Sequence, residues 1–198
     1  MIYFDHNATT PVDEAVLEAM LPYYKTLYGN PSSLYRIGRI ARSAIDTARE
    51  QLASLIDANP NQIIFTSGGT EANALAINSL RDYPLAISAL EHPSVFENTL
   101  SRSAPASILT VNQQGLIDLE NPLWHKLAPG SWLSVMLANN ETGVIQDMAA
   151  LSAVCRHRNL KLHSDAVQAL GKIPLSFRQL GLQMMSLSSH KIYGPKGC

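Results

Sequence analysis

Apolar residues recur along this chain in two rhythms. Over 36–56 they fall at Ile37, Ile40, Ala41, Ala44, Ile45, Ala48, Leu52, Leu55 and Ile56, the 3.6-residue stripe of an amphipathic helix. Similar spacing predicts helices over 12–24, 70–80 and 147–158, and another that starts near Pro93. Between them, short apolar runs bounded by turn formers predict strands over 62–66, 85–89, 107–111, 132–137, 160–163 and 184–188. Strand and helix alternate several times, which argues for an α/β fold with a mostly parallel central sheet. No internal repeat, low-complexity tract or Pro/Gly/Ser-rich linker divides the chain.

In an open parallel sheet, ligands collect beyond the carboxyl ends of the strands. The polar residues that follow each predicted strand are therefore the candidates for chemistry. They are Ser67, Gly68, Gly69 and Thr70 after 62–66, Glu91 and His92 after 85–89, and Asn139, Asn140 and Glu141 after 132–137. Ser164, Asp165 and Gln168 follow 160–163, and Ser189, His190 and Lys191 follow 184–188. Five predicted strands thus deliver hydrogen-bonding or reactive groups to one rim, as an active site requires.

Each residue also has a plainer reading. Ser67-Gly68-Gly69-Thr70 is either an ordinary strand-to-helix turn or an anion cradle, its glycines admitting the ligand and its helix-start N–H groups donating to it. It has neither the GxGxxG nor the GxxxxGK[ST] spacing, which disfavours a dinucleotide or P-loop site. Asp165 could cap a helix; beside a pyridine ring it would keep the ring nitrogen protonated, with Gln168 one helical turn away. His92 is either a capping or core histidine or a flat ring stacked on a cofactor and able to carry a proton. Asn140 could belong to a tight turn. Lys191 is a solvated cation unless burial or neighbouring charge makes its amine nucleophilic.

Composition narrows the partners. The 198 residues carry a net charge of −1, with 46% hydrophobic and 16% charged residues, so neither nucleic acid nor an anionic membrane surface is expected to bind. No apolar run approaches the roughly 20 residues of a membrane span, and the N-terminus lacks the charged and apolar regions of a signal peptide. Cys155 and Cys198 form no disulfide framework or CxxC pair, and a reducing cytoplasm is the expected setting. Cys155, among Leu151 and Val154, reads as a packing residue. His6, His125, His157 and His163 show no ligand spacing, so no metal site is expected.

Several segments together resemble one family. They are Tyr3-Phe4-Asp5-His6-Asn7-Ala8-Thr9-Thr10-Pro11, Gly29-Asn30-Pro31-Ser32-Ser33, Phe65-Thr66-Ser67-Gly68-Gly69-Thr70-Glu71-Ala72-Asn73 and Glu91-His92. Asn139-Asn140-Glu141-Thr142-Gly143, His163-Ser164-Asp165-Ala166-Val167-Gln168 and Ser188-Ser189-His190-Lys191-Ile192-Tyr193-Gly194-Pro195-Lys196-Gly197 follow in the same order. This series resembles the class V aminotransferases, and among them the cysteine desulfurases.

The resemblance implies a three-layer α/β/α large domain of a type I pyridoxal-phosphate-dependent transferase over 13–198, truncated at its C-terminal end, with an N-terminal arm over 1–12. It implies pyridoxal 5′-phosphate as cofactor and Lys191 as the Schiff-base lysine. Thr70, Ser188 and His190, with the Gly69 turn, would take the phosphate side, and His92 would stack on the ring. Asp165 would pair with the ring nitrogen, while Gln168 and Asn140 would contact ring substituents or substrate. Lys191 and His92 are the catalytic candidates.

The implied reaction turns L-cysteine into alanine and a protein persulfide for iron–sulfur cluster or thio-cofactor assembly, in a homodimer that passes sulfur to an acceptor protein. Selenocysteine lyase and aminotransferase chemistry share the scaffold, and a non-catalytic remnant that pairs with a full-length partner would share the motifs. Neither Cys155 nor Cys198 lies where the persulfide cysteine belongs. Tyr35 and Gln183 depart from a histidine and an acidic residue usual in the family. The expectation is an N-terminal fragment that cannot complete desulfuration alone and exposes an unpaired sheet edge.

Overall fold

The computed structural model describes residues 2–198. Its helices are α1 (Glu14–Lys25), α2 (Arg36–Leu55), α3 (Gly69–Ser79), α4 (Pro93–Leu100) and α5 (Met148–His157). Its strands are β1 (Leu85–Ser88), β2 (Ser107–Leu109), β3 (Trp132–Ser134), β4 (Lys161–Asp165) and β5 (Met184–Ser186). The five strands form one sheet in the order β2-β1-β3-β4-β5, every neighbouring pair parallel.

Side chains alternate across the sheet, and each face buries its own helices. On one face Leu85 and Ile87 of β1 and Trp132 of β3 pack with Ile77, Leu80 and Val95 of the α3–α4 side. On the other, Ala86, Leu133 and Leu162 pack with Met148, Leu151 and Cys155 of α5. Helices on both faces of a parallel sheet give the three-layer arrangement that the family resemblance implies. A third cluster joins Ala53 and Ile56 at the end of α2 to Ile63 and Leu170.

Residues 62–66 are not a strand. Pro60–Gln62 make a single 3-10 turn, and 63–66 run on without a sheet partner. Ile63 is buried, but Ile64 is 71% exposed and Phe65 lies under the Arg49 guanidinium, 5.1 Å from its centroid. The β-branched run has the residue types of a strand without an adjacent edge to pair with. The strands at 107–111 and 132–137 are shorter than the apolar runs suggest. Sheet hydrogen bonding still continues past β3, since Val135 N donates to His163 O at 3.1 Å and Leu137 N to Asp165 O at 2.9 Å.

The sheet order positions the site. From β1 the chain moves to one edge at β2 and returns on the other side of β1 at β3. This reversal opens a crevice at the strand ends between β1 and β3. The N-terminal segment crosses to these ends: Thr10 N donates to His190 O and Asp13 N to Tyr193 O, both at 2.9 Å. By contrast, α1 buries no residue, and large apolar side chains such as Phe4 and Leu34 are 90% and 86% exposed.

Candidate active site

A cavity of about 480 Å³ opens at the carboxyl ends of the strands. Gly69, Thr70, His92, Asn140, Asp165, Gln168, Ser188, His190 and Lys191 all line it. They reach it somewhat differently from the sequence reading. Gly69 and Thr70 open α3 after an extended segment rather than following a strand.

Asp165 ends β4 and is 3% exposed. Its Oδ1 accepts from Val167 N at 3.0 Å and its Oδ2 from Asn73 Nδ2 at 2.7 Å. Burial pushes its pKa up, against these two hydrogen bonds and the charges of His92 and Lys191. Among the described residues no cation is in ion-pair contact with it. A carboxylate held by two neutral donors and lacking a paired cation suits a protonated aromatic nitrogen.

Asn73 continues the contact outward. Its Nδ2 also donates to Ser94 Oγ at 2.9 Å, and that hydroxyl lies 2.7 Å from His92 Nδ1. Asp165, Asn73, Ser94 and His92 thus form one hydrogen-bonded chain from the buried floor to the rim. His92 is both alternatives at once: its Nδ1 accepts from Ser94 N as the N-cap of α4, and it lines the cavity. Asn73 and Ser94 were not singled out from sequence. A signal was present, because Asn73 shares the buried stripe of α3 with Ala76 and Ile77, and a buried amide on an apolar stripe needs a polar partner.

Another wall is the glycine turn at the start of α3, which faces Ser188. Gly68 has φ 147°, a conformation that favours glycine. A Cβ on Gly69 would meet Val167 Cγ2 at 3.2 Å and Ser188 Cβ at 3.3 Å, so the backbone there approaches the facing loop closely. Ser188 is buried and its Oγ donates to Cys198 O at 3.3 Å. His190 Nδ1 lies 3.1 Å from Thr9 Oγ1, and burial, then Lys191 and Lys196, lower its pKa.

Lys191 sits in the 3-10 turn Ser189–Lys191. Its Nζ donates to Asn7 O at 2.6 Å and Ala8 O at 2.7 Å. Burial lowers its pKa, the Lys172 charge lowers it further, and Asp5 and Asp165 oppose the shift. Gln168 Nε2 donates to Asn7 O at 2.8 Å, and its Oε1 accepts from Lys172 Nζ. Asn140 Nδ2 donates to Glu141 Oε1 at 2.8 Å, while its carbonyl accepts from Asn7 Nδ2 at 3.2 Å. The mouth is therefore laced to Asn7 and Ala8 of the N-terminal segment.

Elsewhere, His163 lies in the core between Ser134 and Ser186, and burial pushes its pKa down to about 4. Cys155 is buried and its thiol is pushed up to about 11, as befits a packing residue. Among the described residues no helix is long and apolar enough to cross a membrane.

A parallel α/β/α sheet with a lysine, a buried carboxylate, an imidazole and a glycine cradle around one cavity has the architecture of a fold type I pyridoxal-phosphate domain. The chain belongs to the class V aminotransferase family, whose model, Aminotransferase class-V, matches residues 2–198. Pyridoxal 5′-phosphate is the cofactor of this family. The chain is 44% identical over 207 residues to the cysteine desulfurase of Rattus norvegicus, covering 99% of this chain and 46% of that protein. It is 40% identical over 206 residues to the cysteine desulfurase IscS of Neisseria meningitidis, covering 99% of this chain and 51% of that protein. Among solved structures, a NifS-like protein from Rickettsia africae superposes with a TM-score of 0.93 at 38% identity, over 100% of this chain and 56% of that one. The chain spans about half the length of the curated relatives it matches.

Proposed function

We propose that this chain is the cofactor-binding part of an enzyme that takes sulfur from L-cysteine, leaving alanine and a protein persulfide for iron–sulfur cluster or thio-cofactor assembly. The observation that carries the reading is the chain of contacts from buried Asp165 to His92, facing Lys191 across a cavity with an anion cradle at its side. The names of the relatives support the chemistry, and a neighbour with a TM-score of 0.92 and 32% identity is described as SspA in complex with cysteine.

Bound here, pyridoxal phosphate supplies an electron sink that makes the α-proton of an amino acid acidic. Lys191 Nζ would hold the cofactor and carry that proton, and its lowered pKa favours the neutral, nucleophilic amine. Asp165 would hold a proton on the ring nitrogen. His92 would lie against the ring, its Nδ1 engaged by Ser94 N and its Nε2 left to exchange a proton. Gly69, Thr70, Ser188 and His190 would grip the phosphate, and Asn140 and Gln168 would contact ring substituents or substrate. Cys155, buried with its thiol pushed up to about 11, is unsuited to receive sulfur.

In this reading residues 1–12 act as an arm over the mouth and 13–198 as the large domain. We further assign the protein to the cytoplasm, as a homodimer that passes sulfur to an acceptor protein. Two free cysteines suit a reducing compartment, and the exposed apolar side chains of the N-terminal third suit coverage by a second subunit.

The test is a titration of the purified protein with pyridoxal 5′-phosphate. A visible absorbance band should form, disappear in Lys191→Ala, and change when L-cysteine is added. The absence of a band in the unsubstituted protein would overturn the reading. A band that responds to other amino acids and not to cysteine would redirect it to an aminotransferase.

A further inference from the structure

Glu91 immediately precedes His92 and is used by nothing described above. Its carboxyl turns inward between β1 and β3, at the crevice where the sheet order reverses. Oε1 accepts from Ser88 Oγ at 2.5 Å and from Met136 N at 2.7 Å, so one carboxyl oxygen ties the end of β1 to the chain leaving β3. A second tie runs beside it, Asn139 Nδ2 donating to Leu90 O at 3.0 Å. These contacts hold the turn 89–92, and with it the ring of His92, over the cavity. The residue keeps part of its surface at the rim, but Oε2 is out of solvent contact and has no hydrogen-bond partner.

The groups acting on this carboxyl are Ser88 on β1, Ser134 on β3, Met136 N on the chain leaving β3, and Asp165 on β4. None is a cation, and one is an acid. Across the sheet from Ser134 the polar side chains are also uncharged. Ser134 Oγ lies 2.9 Å from His163 Nδ1, and His163 Nε2 lies 3.1 Å from Ser186 Oγ. These side chains alternate with apolar residues that face α5, so they share the face of the sheet from which Asp165 projects.

We propose that Glu91 is a positioning residue of this site, which fixes His92 against the chain leaving β3 and, with Ser134, His163 and Ser186, makes an uncharged floor beside Asp165. The role of His92 at the cofactor rests on the functional reading above; the neutrality of the floor does not. Burial pushes Glu91 up to about 8, against its hydrogen bonds and with help from Asp165, so the carboxyl is protonated at neutral pH. Burial likewise holds His163, pushed down to about 4, neutral. An ionised Glu91 would compete with Asp165 for the ring nitrogen and add an uncompensated buried charge.

Two substitutions separate this role from mere packing. Glu91→Gln keeps a neutral acceptor for Ser88 and Met136, whereas Glu91→Ala releases the turn. At pH 7, pyridoxal 5′-phosphate should bind Glu91→Ala about tenfold more weakly than the unsubstituted protein, an effect on the scale of a buried hydrogen bond, and Glu91→Gln should recover most of that loss.

The second readout needs no cofactor. Between pH 4.5 and about 8 the folded protein holds a proton on Glu91 that the unfolded chain has released, so its stability falls as pH rises through that window. Glutamine does not titrate. The unfolding midpoint of cofactor-free Glu91→Gln should therefore gain on the unsubstituted protein by about 10 °C between pH 5 and pH 8, then level off above the folded pKa. Parallel midpoints over that range would overturn the proposal even if Glu91→Ala failed to fold, and so would equal affinities of the Ala and Gln variants. A protein that binds no cofactor but shows the diverging midpoints would defeat the functional reading and leave the neutral floor standing.

Discussion

At the floor of the cavity, Asn73 and Asp165 are 1% and 3% exposed, and both are held by side chains from other elements. At the mouth, Lys191 and Asn140 make their contacts with the carbonyls of residues 7 and 8 and with an exposed neighbour. The floor is set by packing of α3 against the sheet, so its geometry is fixed before any ligand arrives. The mouth is set by an N-terminal segment that buries almost nothing, and Lys191 must leave those carbonyls before its amine can react. One site thus combines a rigid half that holds charge with an adjustable half that admits the ligand.

Paired substitutions sharpen this contrast. Asn73→Ala strips Asp165 Oδ2 and Ser94 Oγ of a shared donor, and the loss of a buried hydrogen bond to a carboxylate should cost about 1–3 kcal/mol. Asn140→Ala removes an exposed contact and should change stability by less than about 0.5 kcal/mol. Chemical denaturation of both variants measures the difference, and equal losses would erase the distinction between floor and mouth.

A smaller effect concerns pH. After burial, the charge of Lys172 is the next cause that lowers the pKa of Lys191. Removing that cation favours the protonated amine again, so Lys172→Met should move the pH midpoint of Lys191 modification upward. The rate of labelling by pyridoxal phosphate as a function of pH reads this shift. A downward or absent shift would mean that Lys172, tied to Asn7 Oδ1 at 3.0 Å and to Gln168, acts on the arm rather than on the lysine.

The same contrast marks what could be read from sequence. The stripe of 36–56 became α2 because nine apolar positions agree on one period, and the polar residues after 160–163 and 184–188 reached the rim because strand ends point there. The run Ile63-Ile64-Phe65 misled because β-type residues need a partner edge, which no local pattern reveals. Asn73, and the partners of Glu91 and of the arm, escaped notice for a related reason. Their contacts bridge 92, 45 and 184 residues of sequence, so each becomes visible only when the chain has folded. Motifs expose what stands at a strand end, whereas the side chains that hold it come from elsewhere.

The central claim is that one amine, facing a buried carboxylate across one cavity, captures the cofactor. Two lysines approach that space, Lys191 lining it and Lys172 beside Gln168. Incubation with pyridoxal 5′-phosphate, reduction with borohydride and peptide mass mapping tell them apart. The account predicts the phosphopyridoxyl mass on Lys191 and nowhere else; its appearance on Lys172, or scattered over surface lysines, would contradict it.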